Sequence, residues 1–67
     1  MKLNEAIKKA YEKAYELKYK KTEGYFGYVR IHCGVYSLYV YGNGDIDFDL
    51  CGCTVDDLIG DYWEIVL

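Results

Sequence analysis

The 67-residue sequence contains no proline, one histidine and one serine, and these shortages exclude several kinds of protein. No apolar run approaches the roughly 18 residues of a membrane-spanning helix, and no signal peptide opens the chain. We therefore expect neither membrane insertion nor secretion. The sequence also lacks a glycine-rich loop that could bind phosphate. It has no nucleophilic residue and base at a spacing that would bring their side chains together, so we expect no enzymatic activity.

Cysteine is present three times, an odd number that argues against a disulfide framework and favours a reducing cytoplasm. We expect the thiols to be small buried groups, and we predict neither a metal nor a cofactor. Two alternatives stay open: one disulfide with a thiol left over, or a zinc site of Cys₃His type. The zinc site would use Cys33, Cys51, Cys53 and His32.

Positive charge is missing from the end of the chain. All eight basic residues lie within residues 1–32, whereas residues 43–67 carry seven acids and no Lys or Arg. Such asymmetry indicates a charged partner, and the acidic end favours a basic surface. The predicted partner-binding acids are Asp45, Asp47, Asp49, Asp56, Asp57, Asp61 and Glu64. Solubility and protection of a strand edge are the alternative explanation.

Apolar residues at helical spacing predict one amphipathic helix over residues 4 to about 21, with Asn4 as its N-cap. The apolar stripe consists of Leu3, Ile7, Ala10, Ala14 and Leu17.

The rest of the chain predicts strands and one short helical turn, in which Thr54 is the N-cap and Gly60 the end. The strands are predicted at residues 25–32, 35–41, 45–51 and 62–67. We therefore predict a single α+β domain over residues 1–67, with an N-terminal helix packed on a small antiparallel sheet in the order α-β-β-β-short α-β.

The dipeptide Asn43-Gly44 predicts a two-residue type I′ turn between the second and third strands. Tyr39 then opposes Phe48 and Tyr41 opposes Ile46, and a first turn at Cys33-Gly34 adds further rings to their face.

One face of the predicted sheet is thus aromatic, and the other is aliphatic with Asp47 and Asp49 at its edge. Because a single helix covers only one face, we expect the helix on the aliphatic side and another chain on the aromatic side. The predicted interface rings are Phe26, Tyr28, Tyr39, Tyr41 and Phe48. A different register, or burial of the rings by the C-terminal segment, is the alternative.

The segment "TVDDLIGDYWEIV", residues 54–66, resembles the closing motif of a family of small phage proteins. That family includes the Thoeris anti-defence sponge proteins, which sequester cyclic nucleotide signals as oligomers, and an anti-CRISPR. The match is carried by Asp57, Leu58, Ile59, Asp61, Trp63 and Glu64. The family's Arg/Lys-Gly-Trp-Asn segment after the helix is replaced here by "KKTEGYFGY". The resemblance implies a phage or mobile-element origin and action in the host cytoplasm.

Two functions follow from these observations. In the first, the protein inhibits a bacterial defence protein such as a CRISPR effector, with its acids occupying a basic nucleic-acid groove. In the second, an oligomeric sponge stacks a nucleobase on Tyr28, Tyr39, Phe48 or Trp63, while Arg30 or helix lysines meet phosphate. We expect a homo-oligomer that does not itself bind nucleic acid. A structural phage protein is a third possibility.

Overall fold

The computed structural model describes residues 1–20 and 27–66. Within them the chain forms an N-terminal helix on a four-stranded antiparallel sheet with strand order β3-β2-β1-β4, which confirms the predicted α+β architecture. The elements are α1 (Leu3–Lys20), β1 (Tyr28–Cys33), β2 (Tyr36–Tyr41), β3 (Ile46–Asp49), α2 (Val55–Ile59) and β4 (Glu64–Val66). Neither helix in this part of the chain is long and apolar enough to cross a membrane. The predicted interface residue Phe26 lies outside the described residues.

Helix α1 packs on the sheet through a stripe of alanines. Ala6, Ala10 and Ala14 are spaced four residues apart, and all three are fully buried. Their small side chains let the helix backbone approach the sheet closely, while larger residues such as Ile7 and Leu17 pack at the sides of the stripe. The apolar stripe predicted from the sequence did not include Ala6.

The start of α1 differs from the prediction. The amide of Ala6 donates to the carbonyl of Lys2 (2.9 Å), so the first helical hydrogen bond already begins at Lys2. Asn4 lies inside the first turn, and its prediction as N-cap is wrong. Glu5 lies in the first turn and pairs with Lys9 (3.7 Å), an ordinary surface interaction.

The helix covers the aliphatic face of the sheet, as expected. Val29, Ile31, Leu38 and Val40 point towards α1 and are buried. Trp63, just before β4, joins them with no exposed surface, and its indole Nε1 donates to the carbonyl of Asp57 (2.9 Å).

The turn between β1 and β2 consists of Gly34 and Val35, because Cys33 pairs with Tyr36. The predicted turn at Cys33-Gly34 is therefore wrong by one residue. The assignment of residues to faces is unaffected, since Tyr28 and Arg30 still share a face with the odd-numbered residues of β2.

The turn between β2 and β3 has three residues, 42–44, and the predicted two-residue turn is wrong. The amide of Tyr41 donates to the carbonyl of Asp45 (2.9 Å), and that of Gly44 donates to the carbonyl of Tyr41 (3.0 Å). Gly44 has φ of +94°, whereas Asn43 stays at negative φ. This is the pattern of a three-residue hairpin loop that ends in a left-handed residue. The Asn43 side chain stabilises it by accepting the Asp45 amide (3.0 Å).

The longer turn shifts the pairing of β3 by one residue, and that shift moves every side chain of β3 to the opposite face. Leu38 pairs with Phe48, and Tyr39 pairs with Asp47. Phe48 therefore lies on the helix side of the sheet, whereas Asp47 and Asp49 lie on the tyrosine side. The predicted placement of Phe48 among the aromatic-face residues, and of the two aspartates on the aliphatic face, is wrong.

The C-terminal segment forms as predicted from its local signals. The Thr54 side chain accepts the amide of Asp57, and the Asp57 carboxylate accepts the amide of Thr54, so the capping box at the start of α2 is complete. Gly60 ends the helix, and β4 then pairs antiparallel with β1.

Candidate functional site

The candidate site is the face of the sheet turned away from α1, which we call the open face. Successive residues of a strand point to opposite sides, so the pairing of the four strands defines which side chains share this face. They form three rows across the sheet: Asp49, Ser37, His32 and Glu64; then Asp47, Tyr39, Arg30 and Val66; then Tyr41 and Tyr28.

Three tyrosine rings form a cluster on the open face. The Tyr28 ring lies 5.1 Å from that of Tyr39 at an interplanar angle of 89°, and 5.7 Å from that of Tyr41. These edge-to-face contacts hold the rings in a fixed arrangement. Tyr28 remains 40% exposed, and the other two are half-buried, so the cluster offers apolar surface to a partner.

Carboxylates flank the tyrosine cluster at both edges of the open face. Asp47 and Asp49 project from β3, and Glu64 projects from β4 on the far side of the sheet. Arg30 lies between them, opposite Tyr39, and the His32 Nε2 lies 3.5 Å from a Glu64 carboxylate oxygen. The open face therefore combines an aromatic centre with acidic borders, and its three acids outnumber its one arginine.

The other predicted acids lie elsewhere or already have local partners. Asp45 follows the turn, where its carboxylate accepts a hydrogen bond from the turn's asparagine (3.0 Å). Asp57 forms the capping box, and Asp61 pairs with the amino group of Met1 (3.0 Å). Asp56 is exposed on α2. The seven acids thus form separate groups, and only part of the set belongs to the open face.

The cysteines and the histidine do not assemble into a metal site. Cys33 points to the helix side of the sheet and His32 to the open face, and among the described residues no three ligating side chains converge. Burial raises the pKa of the Cys33 and Cys53 thiols, and the Asp57 carboxylate raises both further. A raised pKa lowers the fraction of thiolate, the nucleophilic form, at neutral pH.

Tyr36 connects the end of the sheet to the loop that carries the last two cysteines. Its hydroxyl donates to the carbonyl of Gly52 (3.0 Å), and burial raises the pKa of Tyr36, with the Asp57 carboxylate as a second cause. Tyr36 thus fixes a loop and takes no part in the open face.

A second aromatic surface lies on α1, where Tyr11, Tyr15 and Tyr19 are spaced four residues apart. Their exposed fractions are 41%, 49% and 56%, and their rings contact one another along the helix. The buried alanines form the contact between α1 and the sheet. The tyrosines therefore lie at the solvent-exposed side of the apolar stripe.

Between α1 and β3 lies an apolar groove of about 320 Å³, which we call the edge groove. Ile46 is 51% exposed and Phe48 is 59% exposed, because α1 packs over β1, β2 and β4 and leaves the helix side of β3 uncovered. Sequence reasoning missed this feature, since the predicted register placed both residues on the other face. The groove is lined by Ile7, Lys8, Tyr11, Val40, Gly44 and Ile46.

The chain matches no protein-family model, no curated protein and no solved structure. Within the resembled closing motif, Trp63 is fully buried and Asp57 caps α2, so both residues act in the architecture. Trp63 is therefore not accessible for stacking on a nucleobase, contrary to its role in the sponge hypothesis.

Proposed function

We propose that this protein is a non-enzymatic inhibitor that binds the basic nucleic-acid-binding surface of a bacterial defence protein. The observation that carries the proposal is the composition of the open face. Asp47 and Asp49 lie beside the tyrosine cluster, on the side of the sheet that the helix leaves uncovered. A surface that joins packing area with negative charge suits a basic protein groove.

The spacing of the acids supports competition with nucleic acid. Alternate residues of a strand project about 6.6–6.8 Å apart, which is comparable to the distance between phosphates along a nucleic-acid strand. Asp47 and Asp49 have this relationship on β3, and the field of such a surface steers it towards lysines and arginines. The tyrosines would supply the contact area that fixes the complex once it has formed.

The resemblance of residues 54–66 to small phage proteins suggests the kind of partner. It favours a phage or mobile-element origin, action in the cytoplasm of the host cell, and a CRISPR effector subunit as the most concrete target. The matching residues hold α2 against the sheet, so the motif supports an architecture shared with those phage proteins. We assign the choice of partner to the residues of the open face.

A matched pair of charge reversals tests this proposal. Asp49→Lys changes the open face, whereas Asp56→Lys makes the same change of charge on exposed α2. Each variant would be expressed in cells in which the parent protein restores phage plating against CRISPR interference. Like charges placed in contact cost several kcal/mol of binding, so Asp49→Lys should weaken the affinity by about a hundredfold or more and abolish inhibition. Asp56→Lys should inhibit like the parent.

Two results would contradict the proposal. If no CRISPR system is inhibited by the parent protein, the proposed target class is wrong. If Asp49→Lys and Asp56→Lys inhibit equally well, the open face is not the binding surface.

A second candidate function is a homo-oligomeric sponge for a cyclic nucleotide signal. It is favoured by the open face, where the Tyr28 and Tyr39 rings are in contact and Arg30 lies opposite Tyr39, so that rings and a cation are adjacent. These groups suit phosphate and a nucleobase. Calorimetry with cyclic dinucleotides and cyclic ADP-ribose isomers would detect such binding, which Arg30→Ala should weaken. Light scattering of the same samples would measure the oligomeric state, and a monomer that binds none of these ligands would eliminate this candidate.

A further inference from the structure

Strand β3 is an edge of the sheet, and its outer main-chain groups face away from β2. In an antiparallel pair the residues alternate between those that bond the neighbouring strand and those that bond outward. Tyr41 is hydrogen-bonded to Asp45 across the turn, so the main-chain groups of Asp45 point towards β2. Two residues further along, the main-chain groups of Asp47 likewise point towards Tyr39. The amide and carbonyl groups of Ile46 and Phe48 therefore point outward, where a further strand would pair.

The two sides of this edge differ in chemistry. On the helix side, Ile46 and Phe48 expose apolar surface next to the edge groove. On the open face, Asp47 and Asp49 present carboxylates. A strand added to β3 alternates in the same way, so one set of its side chains would meet apolar surface and the other set would meet acids.

We propose that β3 binds an extended protein segment in which basic residues alternate with apolar residues. The segment adds to the sheet as a fifth strand, with its apolar side chains over the edge groove and its lysines or arginines beside Asp47 and Asp49. Main-chain hydrogen bonds supply affinity and the alternating pattern supplies specificity, as in other cases of strand addition. This inference rests on the proposed function, because the partner is again a basic protein, and it specifies how that partner is held.

A second copy of this chain fits the same edge poorly. Pairing two β3 strands antiparallel across a two-fold axis brings the aspartates of one copy opposite those of the other. Like charges that face each other directly across strands are destabilising. A basic strand replaces that repulsion with opposite-charge pairs, so charge complementarity selects a foreign segment over self-association.

Asp47 also protects the unpaired edge. Its Oδ1 accepts the outward amide of Phe48 (2.9 Å), so the edge donor is satisfied within the chain. A carbonyl of the incoming strand would take over that amide. The Asp47 carboxylate would then be released to pair with a basic side chain of the same strand.

A model peptide of four Lys-Val repeats, acetylated and amidated at its ends, tests the proposal on the intact protein. Nuclear magnetic resonance would follow its titration up to millimolar concentration. Amide shifts should be largest in β3, and the Ile46 amide should become protected from hydrogen exchange. A Glu-Val peptide of the same length, with the opposite charge, should cause neither effect.

Two substitutions at one position separate main-chain pairing from side-chain contact. Ile46→Pro removes the outward amide and is compatible with an edge strand, whereas Ile46→Ala removes most of the side chain and keeps that amide. Loss of one main-chain hydrogen bond should make Ile46→Pro bind the peptide about five- to tenfold more weakly than Ile46→Ala. The β2 amide signals show whether each variant keeps its sheet.

Four other results would contradict the proposal, and each points to a different explanation. Equal affinity of the two variants would mean side-chain contact without strand pairing. No protection of Ile46, or shifts confined to the tyrosine cluster, would exclude strand addition. Dimerisation that protects Ile46 without peptide would identify a second copy as the occupant. The proposed function fails separately, through the interference assay of Asp49→Lys, so the two failures are distinguishable.

Discussion

Replacing Trp63 with phenylalanine tests how the C-terminal segment is held on the sheet. The Trp63 side chain has no exposed surface, and its Nε1 donates to the carbonyl of Asp57 (2.9 Å). Phenylalanine removes the donor, which costs about 1 kcal/mol, and its smaller ring leaves a cavity that costs about another 1–2 kcal/mol. We therefore expect the free energy of unfolding to fall by about 2–3 kcal/mol.

A loss of that size is a large share of the stability of so small a domain, which rarely exceeds about 3–5 kcal/mol. The midpoint of thermal unfolding should decrease by about 10–20 °C. Far-ultraviolet circular dichroism is the suitable measurement, because the substitution removes the protein's only tryptophan. The control is Val55→Ala in α2, where the side chain is 70% exposed and the expected change is within about 0.5 kcal/mol. A Trp63→Phe midpoint no lower than that of the control would refute the reasoning.

Two further predictions concern the turn and the buried thiol. Gly42→Ala should lower the free energy of unfolding by about 1–3 kcal/mol in urea titrations, because the added Cβ would lie 2.8 Å from the Ala14 carbonyl oxygen and 2.9 Å from the Lys18 Cβ. An unchanged urea midpoint would show that the turn does not approach α1 this closely. Burial raises the pKa of Cys33, so the unfolded chain loses its thiol proton first, and stability should decrease as pH rises above about 8.5. This decrease should be shallower in Cys33→Ala than in Cys51→Ala, which removes an exposed thiol; equal slopes would count against the assignment.

Local signals predicted the elements and their order. The spacing of Ala10 and Ala14 with larger apolar residues marked the packed side of α1, and the pattern from Thr54 to Gly60 marked a capped turn that the structure reproduces. These predictions succeeded because each depends on residues within one or two helical turns.

The pairing of β3 could not be predicted in the same way. Asn43-Gly44 signals a hairpin, but two-residue and three-residue loops both accommodate that dipeptide. The longer loop includes Gly42, which packs against α1, so a tertiary contact takes part in the choice of register. One residue of difference moves Phe48 to the helix side and Asp47 to the tyrosine side.

The edge groove could not be predicted from the sequence either, because it depends on which strands α1 covers. The amphipathic pattern of α1 predicts which side of the helix is buried, but it does not show which strands that side will cover. The helix packs over β1, β2 and β4, so Ile46 and Phe48 remain exposed beside it. Neither the groove nor the outward edge of β3 has a signature within a single segment of sequence.

The position of Asp47 and Asp49 beside the tyrosines underlies both proposals, and cross-strand nuclear Overhauser effects measure it most directly. Facing Hα atoms lie close together in the non-hydrogen-bonded pairs of an antiparallel sheet. The described pairing predicts a strong Hα–Hα signal between Leu38 and Phe48. A strong signal between Tyr39 and Phe48 would instead establish the two-residue turn, place the aspartates on the helix side and contradict the account.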